Sequence, residues 1–509
     1  MYEELTKLIE EGNFKEALYV FQEEFSHLDE KTPGEKASLY LLEATIWEAL
    51  MDSTSEFDAI SMGLSYDGRN YELFYMLGLM YINSNVNKAY LCMERALFFC
   101  RDEEDRRAIK GSMDEVRAMA GFDVRKVSVM ILSYNDLDLL KESIDALLRY
   151  NPADSFELVV VDNDSSEEGV KEYLKKKSAE ADCIFKLILG DENLGFPKGC
   201  NLGAKNCDPE NDIFFLNNDA VLTLNALFWL RMGLYENRNV GAVSAFSNSA
   251  SLQEIEPSEF VKDDSDDARC WHKKMPYKEA IEIFEKYAAK KAGPLRDPYI
   301  KRFRLTGFAL LISRPAISTV APDMEVFDEA FSPGYFEDDD LGIRIARAGF
   351  DQYLCRNSFI YHNGGGGFAG HDDAMEAGRE RFKEKWGFDV WGYCLPWYEA
   401  ADMVKKLAEE GDGCLRILDL TCGFGITLSY IKSICPDVFA AGACGTPFEA
   451  GIASHLADEV VYGEVNTMRL PWPDHSFDVV MVDREYVSKA KAMQFLKIGG
   501  ICIDAQDMD

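Results

Sequence analysis

Phe214–Leu222 reads FFLNNDAVL, an apolar run that breaks off in Asn217-Asn218-Asp219 and then resumes. Large apolar residues followed at once by two amides and a carboxylate suit a buried strand whose end emerges at the rim of a sheet. Further on, Tyr335–Arg344 reads YFEDDDLGIR and puts Glu337, Asp338, Asp339 and Asp340 at the mouth of a predicted helix. One carboxylate at a strand end suits a metal ligand, and a carboxylate cluster suits a general base. Together they point to metal-assisted displacement of a phosphorylated leaving group.

Upstream of that strand, the runs VSVMILSY, FELVVVD and CIFKLILG alternate with the helical stretches LDLLKESIDALLRY, VKEYLKKKSAEA and GCNLGAKNC. Such alternation predicts βαβ units and a mostly parallel sheet. Ligands of these sheets bind beyond the carboxyl ends of the strands. The residues there are Ser133, Tyr134 and Asn135, then Asp162, then Asn193 to Asn201, then Asn217, Asn218 and Asp219.

Each fits one part of a transfer from a nucleotide donor. Asp162 can accept a hydrogen bond from a pyrimidine ring N–H, with Ser133, Tyr134 and Asn135 lining the same pocket. In ENLGFPKGCN, Gly195 permits close backbone approach, Lys198 can reach a phosphate, and Asn193 and Asn201 supply neutral polar contacts. Asp219 would hold a divalent cation, Mn2+ or Mg2+, on the diphosphate. His362, in FIYHNGGGGF, offers that cation a ring nitrogen, and the glycines after it suggest a loop that closes over the donor. Asp338 is the base candidate, with Glu337 orienting the acceptor. Asp339 and Asp340 fall in the first helical turn, where negative charge is favourable without any catalytic role. Every motif taken singly also has an ordinary structural reading: a turn Asp, a solvated helix start, a core histidine.

The 509 residues exceed one hydrophobic core, and 47% hydrophobic with 28% charged residues is a globular composition. A net charge of −35 argues against a nucleic-acid partner. The 13 cysteines show no CxxC pair or regular spacing, so a reducing, cytoplasmic setting is expected, with Cys92, Cys100, Cys200 and Cys422 as small core residues. The start, MYEELTKLIEEGNF, lacks the pattern of a signal peptide, and no apolar stretch is long enough for a transmembrane segment.

Residues 1–122 carry helical spacing with almost no strand signal, and Ala17, Gly78, Ala89 and Ala96 would let helices pair closely. They resemble tetratricopeptide-type repeats, which implies a protein partner; a plain helical domain packed on its neighbour is the alternative. Between about 250 and 300 the alternation lapses into a charged stretch that reads as an insertion or flap.

VSVMILSYND, VVVDNDSS, ENLGFPKGCNLG, FFLNNDAV, TGFALLISR and YFEDDDLGIRIARAGF, in this order, resemble the family-2 glycosyltransferases of the GT-A fold, over roughly residues 127 to 390. The similarity is to rhamnosyltransferase-like bacterial members, with Asn217 where the family carries the first Asp of its DXD motif. It implies inverting transfer of a sugar from a UDP- or dTDP-sugar to a hydroxyl on a protein such as flagellin or on a surface glycan. Asp219 and His362 would be at the metal and Asp338 would be the base. The expected architecture is multidomain: helical repeats over 1–122, a GT-A α/β domain over 123–396, and a partial Rossmann-like α/β domain over 397–509.

That last part, with RILDLTCGFG and LPWPDHSFDVVMVD, resembles class I S-adenosylmethionine methyltransferases, implying cofactor contacts at Asp419, Gly423 and Gly425. Two departures favour scaffolding over methyl transfer. The acidic residue expected after the second strand is replaced near Cys444, and the sequence omits the last strands of the usual sheet. A bifunctional glycosyl- and methyltransferase, and an inactive scaffold built on these folds, are the alternatives.

Overall fold

Helix starts in the N-terminal part are written by their caps. Thr32 and Glu35 form a reciprocal capping box, and Asn70, Asn85 and Asp102 each accept backbone N–H bonds at the head of the helix that follows. The computed structural model describes residues 2–262, 266–364, 371–411 and 414–507. Within them, helices Pro33–Ala49 and Ser53–Tyr66, then Tyr71–Tyr81 and Val86–Phe99, pack as successive pairs. Small residues permit the contact: a Cβ on Gly78 would lie 3.2 Å from the Ala89 carbonyl oxygen.

These helices share a core with the sheet behind them. Phe74 meets Phe228 edge-on at 5.3 Å, and Cys92 Sγ lies 3.9 Å from Met232 Sδ. The fully buried Arg95 donates to Asn225 Oδ1 at 2.7 Å and to the Tyr150 carbonyl at 2.6 Å. Lys88 pairs with Glu236, and Arg231 with Glu94. The helical part is thus packed on its neighbour.

The central sheet contains β1 (Val127–Ser133), β2 (Phe156–Asp162), β3 (Ile184–Leu189), β4 (Asp212–Asn217), β5 (Ala220–Leu222), β6 (Val240–Phe246), β7 (Tyr299–Arg302), β8 (Ala309–Ile312) and β9 (Asp351–His362). Its order is β3-β2-β1-β4-β8-β6-β9-β5, with β7 also on β9. The sheet is mixed, not mostly parallel: β1–β4 form a parallel set, but β8 runs against both β4 and β6, and β5 and β7 run against β9. The alternating pattern ends with β4, so only the first half obeys the βαβ rule. Register aligns Ser133 with Asp162 and Leu132 with Asn217, gathering the strand ends at one rim.

Of the two readings of the 250–300 segment, an insertion or a flap, its described residues favour an anchored insertion. Phe260 stacks on Trp271 at 4.8 Å, and Phe284 meets Tyr361 of β9 at 6.0 Å. Aromatic burial fixes what the charge pattern suggested was loose.

The C-terminal sheet is wholly parallel: β10 (Arg416–Asp419), β11 (Phe439–Cys444), β12 (Glu459–Tyr462), β13 (Phe477–Val482) and β14 (Leu496–Asp504), in the order β12-β11-β10-β13-β14. Separate apolar clusters cover its two faces. No helix of the described residues is long and apolar enough to cross a membrane. Cys92, Cys100, Cys200 and Cys422 are buried and unbridged.

Candidate active site

At the ends of β1 and β2, Ser133 and Asp162 are fully buried, and Ser133 Oγ and Asp162 Oδ1 have no hydrogen-bond partner among the described residues. Buried polar atoms without partners are costly, and two side by side at a strand rim suit a polar ligand. Asn135 adopts a left-handed conformation, and its side-chain oxygen accepts from the Ser166 and Glu167 amides at 2.9 and 3.0 Å. Asn218 Nδ2 donates to the Asn135 carbonyl at 3.3 Å, joining this turn to the end of β4. Tyr134 is half-buried beside them.

The 193–201 segment divides into different jobs. Asn193 braces its own loop, its oxygen accepting from Asn163 Nδ2 at 2.8 Å and the Gly195 amide at 2.9 Å. Gly195 has φ +76°, and a Cβ there would meet Pro333 Cα at 2.9 Å. Lys198 is exposed. Asn201, expected to contact the donor, is instead fully buried and bonded at both ends to the main chain of Phe327, at 2.8 and 3.0 Å. Its amide is consumed by the fold.

Asp219 and His362 come together across β5 and β9, with Asp219 Oδ1 3.3 Å from His362 Nε2. The other ring nitrogen, Nδ1, lies 2.5 Å from the Ser249 carbonyl. A carbonyl only accepts, so Nδ1 carries a hydrogen, and Nε2 faces the carboxylate, where a neutral ring would present its lone pair. Such a pair calls for a cation between the two groups, a proton or a metal ion. Burial opposes charge on both. Even so, the Asp219 carboxylate raises His362 above its usual pKa, and His362 holds Asp219 below the usual carboxylate range. Asp219 Oδ2 also accepts from the Gly364 amide at 2.9 Å. Asn217, half-buried, brings its amide within 3.4 Å of Nε2. The oxygen and nitrogen donors fit Mn2+ or Mg2+ only with ligands from elsewhere, because among the described residues no third His, Cys, Asp or Glu joins them. The glycines at 365–367 lie outside the described residues.

The acidic run heads the helix Glu337–Arg347. Asp339 and Asp340 fall in the first helical turn, as expected, and both are buried and paired, Asp339 with Arg304 and Asp340 with Arg344 and Lys385. Burial pushes Asp339 up to about 7, against the pull of the Arg304 guanidinium. Glu337 is buried with Oε2 unpartnered, and burial, then the neighbouring Asp338, push its carboxyl well above the usual range. That shift favours the protonated form, which can donate a hydrogen bond. Asp338 is the half-buried member, its oxygens accepting from the Gly307 amide at 3.0 Å and the Asp339 amide at 2.9 Å. Gly307 links the two halves of the site. The next residue, Phe308, accepts the Asn217 amide at 2.9 Å and lays its ring 5.0 Å from that of His362.

Residues 128–288 match the model of the family described as glycosyl transferase family 2. The chain carries a domain of that family. The glycosyltransferase match takes in Ser133, Asp162 and Asp219 and stops short of Asp338 and His362. The uncharacterized glycosyltransferase YfnE of Bacillus subtilis (strain 168) is 24% identical over 259 residues, which are 47% of this chain and 64% of that protein. The chain thus spans less than two thirds of that relative's length. Among solved structures, GalNAc-T7 with UDP, GalNAc and Mn2+ has a TM-score of 0.36 at 12% identity, covering 48% of this chain and 45% of that one. TarS 1-349 of S. aureus with UDP-GlcNAc has a TM-score of 0.33 at 13% identity, covering 56% and 80%.

Further residues hold this site in place. Asn248 holds the His362 main chain from both sides, at 2.9 Å each. His272, buried, meets the Asn363 carbonyl at 3.0 Å. Asp136, whose carboxyl is raised by burial and then by Asp219, stands near the metal candidate on a left-handed turn. SYND in the first motif was the only hint of it.

The glycine turn after β10 packs against the chain's own side chains. Cβ atoms on Gly423 and Gly425 would each meet the chain's own side chains at 3.3 Å, Tyr393 and Ala453 respectively. Asp419 is buried, with Oδ1 accepting from the Thr421 amide at 2.9 Å.

Proposed function

We propose that the chain is an inverting glycosyltransferase that moves a sugar from a UDP- or dTDP-sugar to a hydroxyl of a protein or glycan. It divides into helical repeats (1–122), the transferase domain (123–396) and a partial Rossmann-like scaffold (397–509). The observation that carries the reading is the buried Asp219–His362 pair, a carboxylate oxygen and a ring nitrogen facing each other at the same rim as the unpartnered atoms of Ser133 and Asp162.

Asp219 and His362 would hold a divalent cation, which when bound would offset the charge of the departing diphosphate. Asp162 accepts the pyrimidine N–H, with Ser133, Tyr134 and Asn135 around the nucleoside and Lys198 within reach of a phosphate. Asn217 and Asn218 brace this rim. Glu337, protonated, donates a hydrogen bond to the acceptor. Asp338 takes the proton of the acceptor hydroxyl as its oxygen bonds to the anomeric carbon, the bond to the diphosphate oxygen breaks, and the nucleoside diphosphate leaves from the opposite face. Burial of Ser133 and Asp162 keeps water from competing for the base.

Thermal unfolding with UDP, dTDP and their sugars, with and without manganese, tests the reading, because a ligand of the native state raises the midpoint by mass action. A manganese-dependent rise with a pyrimidine nucleotide is expected in the wild type and is lost in Asp219→Ala. No rise with any nucleotide would leave the inactive scaffold as the better account.

A further inference from the structure

We propose that the helices and turns of the C-terminal part form a clamp on the helix Glu337–Arg347, with His455 as its positioning residue. The geometry stands by itself; the consequence for turnover rests on the glycosyltransferase reading above.

The helix is held at both ends. Its first turn carries Glu337, Asp338, Asp339 and Asp340. Near its other end, the Ala346 carbonyl lies 2.9 Å from His455 Nε2, while His455 Nδ1 lies 2.7 Å from Asp351 Oδ1 at the start of β9. One imidazole from the C-terminal part thus joins the end of the helix to the strand that terminates in His362. Arg347 adds a second grip, its guanidinium 5.4 Å over the ring of Phe448 and 5.6 Å over that of Trp386. Trp386 in turn donates its indole N–H to Asp340 Oδ1 at 3.0 Å, so the aromatic contact made by Phe448 leads back to the acidic run.

A second line of contact passes through the glycine turn. Phe424 stacks on Tyr393 at 4.2 Å and meets Phe303 at 5.2 Å. Phe303 adjoins Arg304, the partner of Asp339. Ser429 Oγ donates to the Lys301 carbonyl in β7, two residues before Phe303, at 2.6 Å. The turn that resembles a cofactor cradle therefore faces aromatic side chains and serves as a docking knob. Two routes from one domain converge on neighbouring carboxylates of the acidic run. Closely packed contacts of this kind fix an element to within fractions of an ångström, and displacements near 1 Å at a reacting group are costly in rate.

Amide hydrogen exchange on the full chain tests the clamp without needing any activity. In His455→Ala, exchange over residues 337–347 is expected to quicken about tenfold while β1 and β2 exchange at the wild-type rate. In His455→Gln, which keeps a donor for the Ala346 carbonyl, most of the protection should return. Turnover of UDP- and dTDP-sugars with manganese should fall in His455→Ala through kcat, with KM for the donor unchanged and partial rescue in His455→Gln. Unchanged protection over 337–347 in His455→Ala overturns the proposal, as does exchange that quickens equally in β1. Should the wild type turn over no donor while protection of the helix still depends on His455, the clamp stands and the transferase reading fails.

Discussion

Asp338 differs from its neighbours in what it is paired with. Arg304 pairs with Asp339, and Arg344 and Lys385 with Asp340, whereas Asp338 is aimed by two backbone amides, those of Gly307 and Asp339. An aimed carboxylate open to the site is what a base requires, and the paired ones hold the helix. Asp338→Asn keeps an acceptor for the Gly307 amide and removes the base, so steady-state assays should show kcat reduced by roughly 10²–10⁴ with nucleotide binding intact. Asp419 makes a separate prediction about stability. Burial lifts it to about 6, against the bonds from Thr421, whereas in the unfolded chain it titrates near 3.9. Between these values the native state binds more protons than the unfolded one, so stability falls as pH rises from about 4 to about 6, by up to ~3 kcal/mol. Asp419→Asn removes this contribution to the pH dependence, and urea midpoints of wild type and variant measured across the interval will read the difference.

Strands announced by uninterrupted apolar runs were legible: VSVMILS, FELVVVD and DIFFLN occupy β1, β2 and β4, with their polar ends at the rim. The reversal at β8 was not, because direction depends on which neighbour a strand pairs with, and apolar spacing is blind to that. Burial of Asp339 and Asp340 was missed for a related reason. Arg304 and Lys385 come from far along the chain, and only Arg344, one helical turn beyond Asp340, stood in the local pattern. The notch at Gly195 shows the same division. Its place in a glycine-containing loop is readable, but its purpose depends on Pro333, whose carbonyl accepts the Phe196 amide at 2.8 Å. Gly195→Ala would have to hold φ +76° and push against Pro333 Cα at 2.9 Å. The expected cost is about 1–3 kcal/mol, seen as a lower urea midpoint with unchanged slope.

Across the whole molecule, the N-terminal helices share a core with the central sheet, and another cluster packs Phe303 and Phe336 against Phe424 and Ile452. One apolar cluster runs from Ala37 and Tyr40 through Phe74 and Met93 into Phe228, Trp229 and the sheet at Val129 and Phe214. The first two helices belong to a different, smaller cluster of Leu5, Ala17 and Phe21 against Leu39 and Ile46. Two truncations should therefore behave unlike each other. Removing residues 1–31 takes away the small cluster and uncovers one face of the helix Pro33–Ala49, while Arg95 keeps Asn225 and Tyr150 and the large core stays closed. That protein should unfold in one cooperative transition at a reduced midpoint. Removing residues 1–122 exposes the helix Ala226–Leu234, buried along its whole length, and strips Arg231 of Glu94 and Glu236 of Lys88. An uncovered apolar face of that extent favours association, and a buried arginine without its carboxylate is strongly unfavourable. Light scattering and calorimetry separate the cases: aggregation without a cooperative transition is expected for the longer truncation. A monomeric, cooperatively folding 123–509 fragment would instead mean that the helices only decorate a core able to close without them.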